Sequence, residues 1–332
     1  MTDAAALFGF LLDRRRRGED AALVTLVGVV GGGARSPGAQ MAVGADGGVL
    51  GSFTAGCADA AVVAEARDAM RAGRARTVRF GVDSPYMDIR LPCGGGIDLL
   101  FTPGPSLAAL ERAAALLADR RPVAQQLSVD GGMTVVAADD DDRTGWDGAG
   151  FRCRLEPRLR LLVAGHGAEP LALLRLGRGI EAEASLLSPD ADCLAAATSM
   201  GVPADRLHPG FRLDELRIDA RTAAVLLFHD HEWETRILQR AIASRAFFIG
   251  AMGSRRTHAE RCRRLAAAGA TPGDLARIIG PVGLIEAARD PETLAVSVLA
   301  QVMAEQVRAL RAGADAPPVG SAAPERSASV AA

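Results

Sequence analysis

From residue 160 onward the chain alternates short apolar runs with helix-forming stretches, and that alternation leaves few folds open. Residues 160–164 read as a buried strand, 170–176 as a helix and 182–187 as the next strand. Two further strands, 223–228 and 246–249, flank a helical stretch at 232–243. Strands separated by helices pair in parallel through right-handed crossovers. A doubly wound sheet is therefore expected, with ligands bound beyond the carboxyl ends of its strands. Asp290-Pro291 starts a last helix, an N-cap followed by proline at the first helical position, and Leu294, Val298 and Val302 recur at four-residue spacing.

The first half has a different grain. Strands are expected at 23–30, 40–43, 49–53, 78–80 and 97–101, with Asp46-Gly47 as a hairpin turn. A helix at 107–119 precedes a second strand pair, 123–129 and 133–137, around Asp130-Gly131. The run Asp139-Asp140-Asp141-Asp142 reads as a solvated loop that continues through Gly145 to Gly150. The expected class is α/β. An N-terminal α+β domain with glycine-rich turns spans 1–157, a Rossmann-like parallel sheet 158–312, and a disordered tail rich in Ala, Pro, Ser and Gly 313–332.

Arginine and lysine together number 38 against 40 acidic residues, a net charge of −2, so no nucleic-acid partner is expected. Every one of those cations is an arginine. Five cysteines without C-x-x-C spacing argue against a disulfide framework and a zinc ribbon, and point to the reducing cytoplasm. Residues 4–12 are apolar but precede the arginines 14–17, the reverse of a signal peptide, and no stretch approaches transmembrane length. No membrane insertion is expected.

Two thiols sit in glycine-rich turns. Cys57 lies in Thr54-Ala55-Gly56-Cys57, between a strand and an alanine-rich helix closed by Gly73, where the helix dipole favours thiolate. Cys93 precedes Gly94, Gly95 and Gly96, whose backbone admits close approach of a bound group. Packing as small buried hydrophobes is the competing account of both; Cys153, Cys193 and Cys262 lack such context and read as structural. Gly31 to Gly38 is a further glycine turn, carrying Arg35. In the second half Gly165-His166-Gly167, His229-Asp230-His231-Glu232 and Gly253-Ser254-Arg255 follow strands, and Gly280-Pro281-Val282-Gly283 follows the last apolar run. Ser254 reads as an N-cap, and a helix start beside Arg255 is a natural anion site, against a solvated helix face for Arg255. Arg256 and Arg261 read as surface. His229 and His231 with Asp230 and Glu234 would suit a metal, but acidic residues at a helix start need none. Trp146 and Trp233 read as packing.

In order along residues 20–306, these segments resemble the XdhC/CoxI family, accessory proteins of molybdenum enzymes such as xanthine dehydrogenase and carbon monoxide dehydrogenase. The family's glycine–arginine turn is matched by Gly31, Arg35, Gly38 and Met41. Its cysteine turns are matched by Gly56-Cys57 and Cys93-Gly94-Gly95, and its strand-end motifs by His229-Asp230, Gly250 to Arg255 and Pro281 to Leu284. The resemblance implies binding of the molybdenum cofactor, help in its sulfuration, and insertion into an apo molybdenum hydroxylase, with a cysteine desulfurase as sulfur donor and a homodimer as the assembly. On this reading Cys57 and Cys93 act on the sulfur and are candidate molybdenum ligands. Gly31, Arg35, Gly56, Gly94, Gly95, Gly165, Gly167, His229, Asp230, Gly253, Ser254 and Arg255 would hold the cofactor.

Two departures bear on nucleotides. Val163-Ala164-Gly165 stands where G-A-G is common in the family, and Ser188 replaces the acid that holds a ribose hydroxyl. Val163 in a glycine turn would crowd a pyrophosphate, so tight NAD(P) binding is not expected. A nicotinamide-dependent oxidoreductase with a degenerate site is the alternative reading, and an interaction scaffold without ligand the third.

Overall fold

The computed structural model describes residues 3–32, 35–54, 56, 58–84, 94–228 and 233–314. Cys57, Cys93, His229, Asp230, His231 and Glu232 lie outside the described residues, as does the expected tail from 315 on. Two compact units are present, Met1–Pro157 and Arg158–Ala312.

The first unit opens with α1 (Ala4–Arg16), capped by the Asp3 carboxylate, which accepts from the N–H groups of Ala5 and Ala6. Then come β1 (Ala21–Val30), β2 (Gln40–Gly44), β3 (Val49–Leu50), α2 (Asp59–Ala72), β4 (Arg76–Gly81) and β5 (Gly96–Pro103). These strands form an antiparallel sheet in the order β3-β2-β1-β5-β4. Alternate residues of β1 point to opposite faces, and both faces are buried. Val24 and Leu26 meet Val62, Ala66 and Ala69 of α2. Leu23 meets α1 and α3 (Leu107–Ala118). A second sheet, β6 (Val123–Leu127), β7 (Met133–Ala137), β8 (Gly145–Trp146) and β9 (Phe151–Leu155), runs β7-β6-β9-β8 and adds Phe151 and Cys153 to that second core. The buried Gln40 amide donates to Thr25 and to Gln125, stitching β2 to β6.

Three local expectations give way to the structure. The strand expected to reach 53 ends at Leu50, because Gly51 takes φ +100° and turns the chain. The loop expected through Gly150 holds strand β8, which pairs with β9. Asp142, read as part of a solvated run, is buried and ion-paired with Arg152.

The second unit contains β10 (Arg160–Gly165), α4 (Ala168–Gly179), β11 (Glu183–Ser188), α5 (Ala191–Ser199), β12 (Ala204–Arg206), β13 (Thr222–Leu227), α6 (Glu234–Ile242), β14 (Phe248–Ala251), α7 (Arg255–Ala267), α8 (Pro272–Ala276), β15 (Ile278–Ile279) and α9 (Pro291–Ala314). The sheet order β12-β11-β10-β13-β14-β15 is all parallel. Ranked by appearance that is 3-2-1-4-5-6, the Rossmann order, with its switch point between β10 and β13. Both faces are covered, which is why these strands are apolar throughout. Leu162 and Ala164 pack toward α6 and α7, Leu161 and Val163 toward α4, α5 and α9. Burial of each such leucine contributes about 1.5–3 kcal/mol. The last helix begins as expected, with Asp290 accepting from the Thr293 N–H.

Candidate functional site

In the first unit the antiparallel register gathers the glycine-rich segments at one end of the sheet. Val30 at the end of β1 pairs with Gly96 at the start of β5, and Gly81 at the end of β4 pairs with Gly96 from the other side. Leu50, ending β3, pairs with Ala42 in the middle of β2 and the chain runs on in the direction of β1, while the C-terminal half of α2 reaches the opposite end, where Arg67 donates to the Ala45 carbonyl. The β1–β2 loop, the β3–α2 turn and the β4–β5 connection therefore leave from the same sheet end. Gly31, Gly38, Gly56 and Gly94 take φ of +71°, +92°, +106° and +67°, a region that favours glycine. Gly95 answers a different demand, close approach. A Cβ there would lie 2.5 Å from the Val30 carbonyl oxygen and would also strike that of Gly32. Gly31, Gly56 and Gly94 are exposed, as is Arg35. Beneath this end Arg79 grips Asp98 with two hydrogen bonds of 2.7 and 2.6 Å, and Gly28 leaves room for that carboxylate.

The segment that bears Cys57 is fixed on both flanks. Asp59, the first residue of α2, accepts from Ser52 Oγ at 2.8 Å and Thr54 Oγ1 at 3.0 Å, while Thr54 Oγ1 accepts from the Ala58 N–H. The described residues thus bring the flanks of both cysteine turns, Gly56 and Gly94, to the end of the sheet that holds Gly31 and Arg35. That juxtaposition is the candidate site of this unit.

In the second unit Gly165-His166-Gly167 lies at the switch point. A Cβ at Gly165 would strike the Leu227 carbonyl of β13, and Gly167, at φ +90°, is the N-cap of α4. Pro170 takes the third place of a G-x-G-x-x-G pattern, a position the first turn of a helix tolerates. The expectation about Val163 is overturned. Val163 is an interior residue of β10, wholly buried and paired with Leu186 and Val225, so it crowds no pyrophosphate and the glycine turn is intact. Ser188 does end β11 in the acid's place; it is buried and accepts from the Asp190 N–H. The Cys193 thiol, 3.7 Å from the Gly167 carbonyl, is pushed above its usual range by burial, and burial does the same to Cys153. Both are buried among apolar side chains.

At the end of β14, Gly253 has φ +133°, and Ser254 caps α7 by accepting from the Thr257 N–H at 3.1 Å. Arg255 points to solvent, 88% exposed, and reaches Glu286 at 3.6 Å. Arg261 is corrected from surface to interior. It and Glu234 are each 2% exposed, joined by two hydrogen bonds of 2.9 and 2.7 Å. A signal existed: Arg261 precedes Leu265 by four residues, on the face of α7 that packs inward. Cys262 is half-buried, its sulfur 3.6 Å from His258 Nε2. Among the described residues no group of three or more His, Cys, Asp or Glu could hold a metal ion. No helix among them is long and apolar enough to cross a membrane.

Known proteins share both the sequence and this architecture. Residues 161–302 match the XdhC Rossmann domain, and residues 14–81 match the XdhC and CoxI family. The chain is 38% identical over 304 residues to the molybdenum cofactor insertion chaperone PaoD of Escherichia coli, covering 90% of this chain and 88% of PaoD. It is 30% identical over 163 residues to a probable xanthine dehydrogenase component of Bacillus subtilis, covering 48% and 46% of the two chains. A crystal structure of a xanthine dehydrogenase from Bacillus halodurans shares the fold, with a TM-score of 0.71, 20% identity and coverage of 92% and 96%. With its Rossmann sheet, its glycine turns and a relative matched along nearly its whole length, the chain belongs to the XdhC and CoxI family.

Proposed function

We propose that this protein is a maturation factor that binds the molybdenum cofactor as cargo, assists its sulfuration and inserts it into an apo molybdenum hydroxylase of the xanthine or carbon monoxide dehydrogenase type. The observation that carries the reading is the 38% identity to an insertion chaperone across 90% of the chain. The sheet end of the first unit fits the cargo. Exposed glycines at Gly31, Gly56 and Gly94 leave backbone open to a large polar group, and Arg35 supplies a cation for its phosphate. Cys57 and Cys93, on segments leaving that end, would bind the metal or carry sulfur, since thiolates are soft ligands and nucleophiles. In the second unit Gly165, Gly167, Gly253, Ser254, His229 and Asp230 would contact the cofactor around the switch point. Arg255 would do so only by leaving Glu286. A cysteine desulfurase as sulfur source, a homodimer and a cytoplasmic location belong to the same proposal.

The intact Gly165-x-Gly167 turn on a 3-2-1-4-5-6 sheet favours a second reading, a nicotinamide-dependent oxidoreductase. Ser188 in place of the ribose acid weighs against it. Reconstitution of an apo molybdenum hydroxylase with released cofactor and a sulfur donor tests the first reading. Active, cyanide-sensitive enzyme should form in the presence of this protein and far less in its absence. Equal activation without it, together with micromolar NAD(P) binding, would favour the second.

A further inference from the structure

One buried guanidinium on α7, that of Arg261, contacts the first residue of α6, the turn after β14 and His258, which abuts the turn after β15. Arg261 Nε and one terminal nitrogen donate to Glu234 Oε1, on the first residue of α6, which follows its N-cap Trp233. That same terminal nitrogen donates to the Met252 carbonyl at 2.5 Å, in the turn that leads to Gly253 and Ser254. Its other terminal nitrogen lies 3.3 Å from His258 Nδ1. Arginine only donates, so Nδ1 accepts and the imidazole carries its proton on Nε2, facing the Cys262 sulfur. His258 in turn abuts Gly280, at the start of the turn after β15, where any Cβ would strike the ring. Arg264 approaches the second Glu234 oxygen at 3.8 Å.

We infer that Arg261, clamped by Glu234, is a positioning residue that ties the start of α6 to the turn after β14 and, through His258, to the turn after β15, at the ligand-binding end of the parallel sheet. A purely structural ion pair would need neither the bond to Met252 nor the contact to His258. A fork of five donors in one plane can serve all three; a lysine ammonium offers a single point of attachment. The ligand class, a phosphate-bearing cofactor, rests on the function proposed above, whereas the clamp rests on geometry alone.

The test compares the full-length protein with Arg261→Lys and with the double variant Glu234→Leu/Arg261→Met. The double variant removes both buried charges together, a change a fold commonly tolerates. Amide hydrogen exchange is read at Gly253 to Thr257 and Val282 to Leu284, thermal unfolding by calorimetry, and retention of released molybdenum cofactor by gel filtration. Both variants should unfold near the wild-type temperature, exchange those amides faster, and retain roughly tenfold less cofactor, the scale seen when a supporting partner of a bound group is lost. Wild-type exchange at these amides in both variants would overturn the clamp, and so would full rescue by Arg261→Lys. Wild-type protein that retains no cofactor would instead sink the proposed function, leaving exchange to decide the clamp.

Discussion

Single residues carry the sharpest constraints in this chain. Gly165 and Gly95 are fixed by backbone that passes where a side chain would stand, so their identity follows from strand packing before any ligand is considered. His258 shows how neighbours set a proton. Burial and the Arg261 guanidinium hold its pKa below the usual 6.5, with Glu234 opposing them. A histidine depressed in the folded state binds fewer protons than in the unfolded state, so stability rises with pH across that interval. The contribution is complete above 6.5 and is lost as pH falls from there toward the folded value. Urea unfolding between pH 5 and 7 should therefore show a slope that His258→Asn reduces; an unchanged slope would contradict this account. The same neighbourhood explains why the sequence carries only one signal for the burial of Arg261, its four-residue spacing from Leu265. α7 is rich in arginine, with residues 255, 256, 263 and 264 alongside 261, and composition does not separate the buried Arg261 from the exposed Arg255, Arg256 and Arg263 or the half-buried Arg264.

At the scale of elements the parallel sheet is legible because each apolar run is bounded by glycine or a helix start, and β10, β11, β13 and β14 lie close to where the pattern places them. The order of those strands is not, since long-range pairing leaves no local mark. β9 escapes a sequence reading although Phe151, Cys153 and Leu155 alternate with Arg152 and Arg154; the acidic and glycine-rich run before it hides its hairpin partner. The expectation about Val163 fails because the glycine turn begins two residues later, at the strand end. The helix expected after Cys57 is present, with Gly73 closing it in the left-handed conformation. Its N-terminus should favour the Cys57 thiolate, while the Asp59 carboxylate in the first turn opposes it. Iodoacetamide should accordingly label Cys57 faster than the buried Cys153, and Asp59→Asn should speed it further. Mass spectrometry on the folded protein reads both rates, and labelling of Cys57 no faster than Cys153 would return it to a packing role.

For the whole molecule, the two units present two glycine-lined candidate surfaces, a sheet end beside Gly31, Gly56 and Gly94 and a Rossmann switch point. The first is legible from the order of the motifs; that the described antiparallel register gathers their flanks at one end is not. The central claim is that the chain takes up molybdenum cofactor, and gel filtration after incubation with freshly released cofactor tests it most directly. Molybdenum and pterin should co-elute with the wild-type protein well above an albumin control, with the double variant Cys57→Ala/Cys93→Ala falling toward that control. Co-elution of the wild-type protein no greater than albumin would contradict the claim.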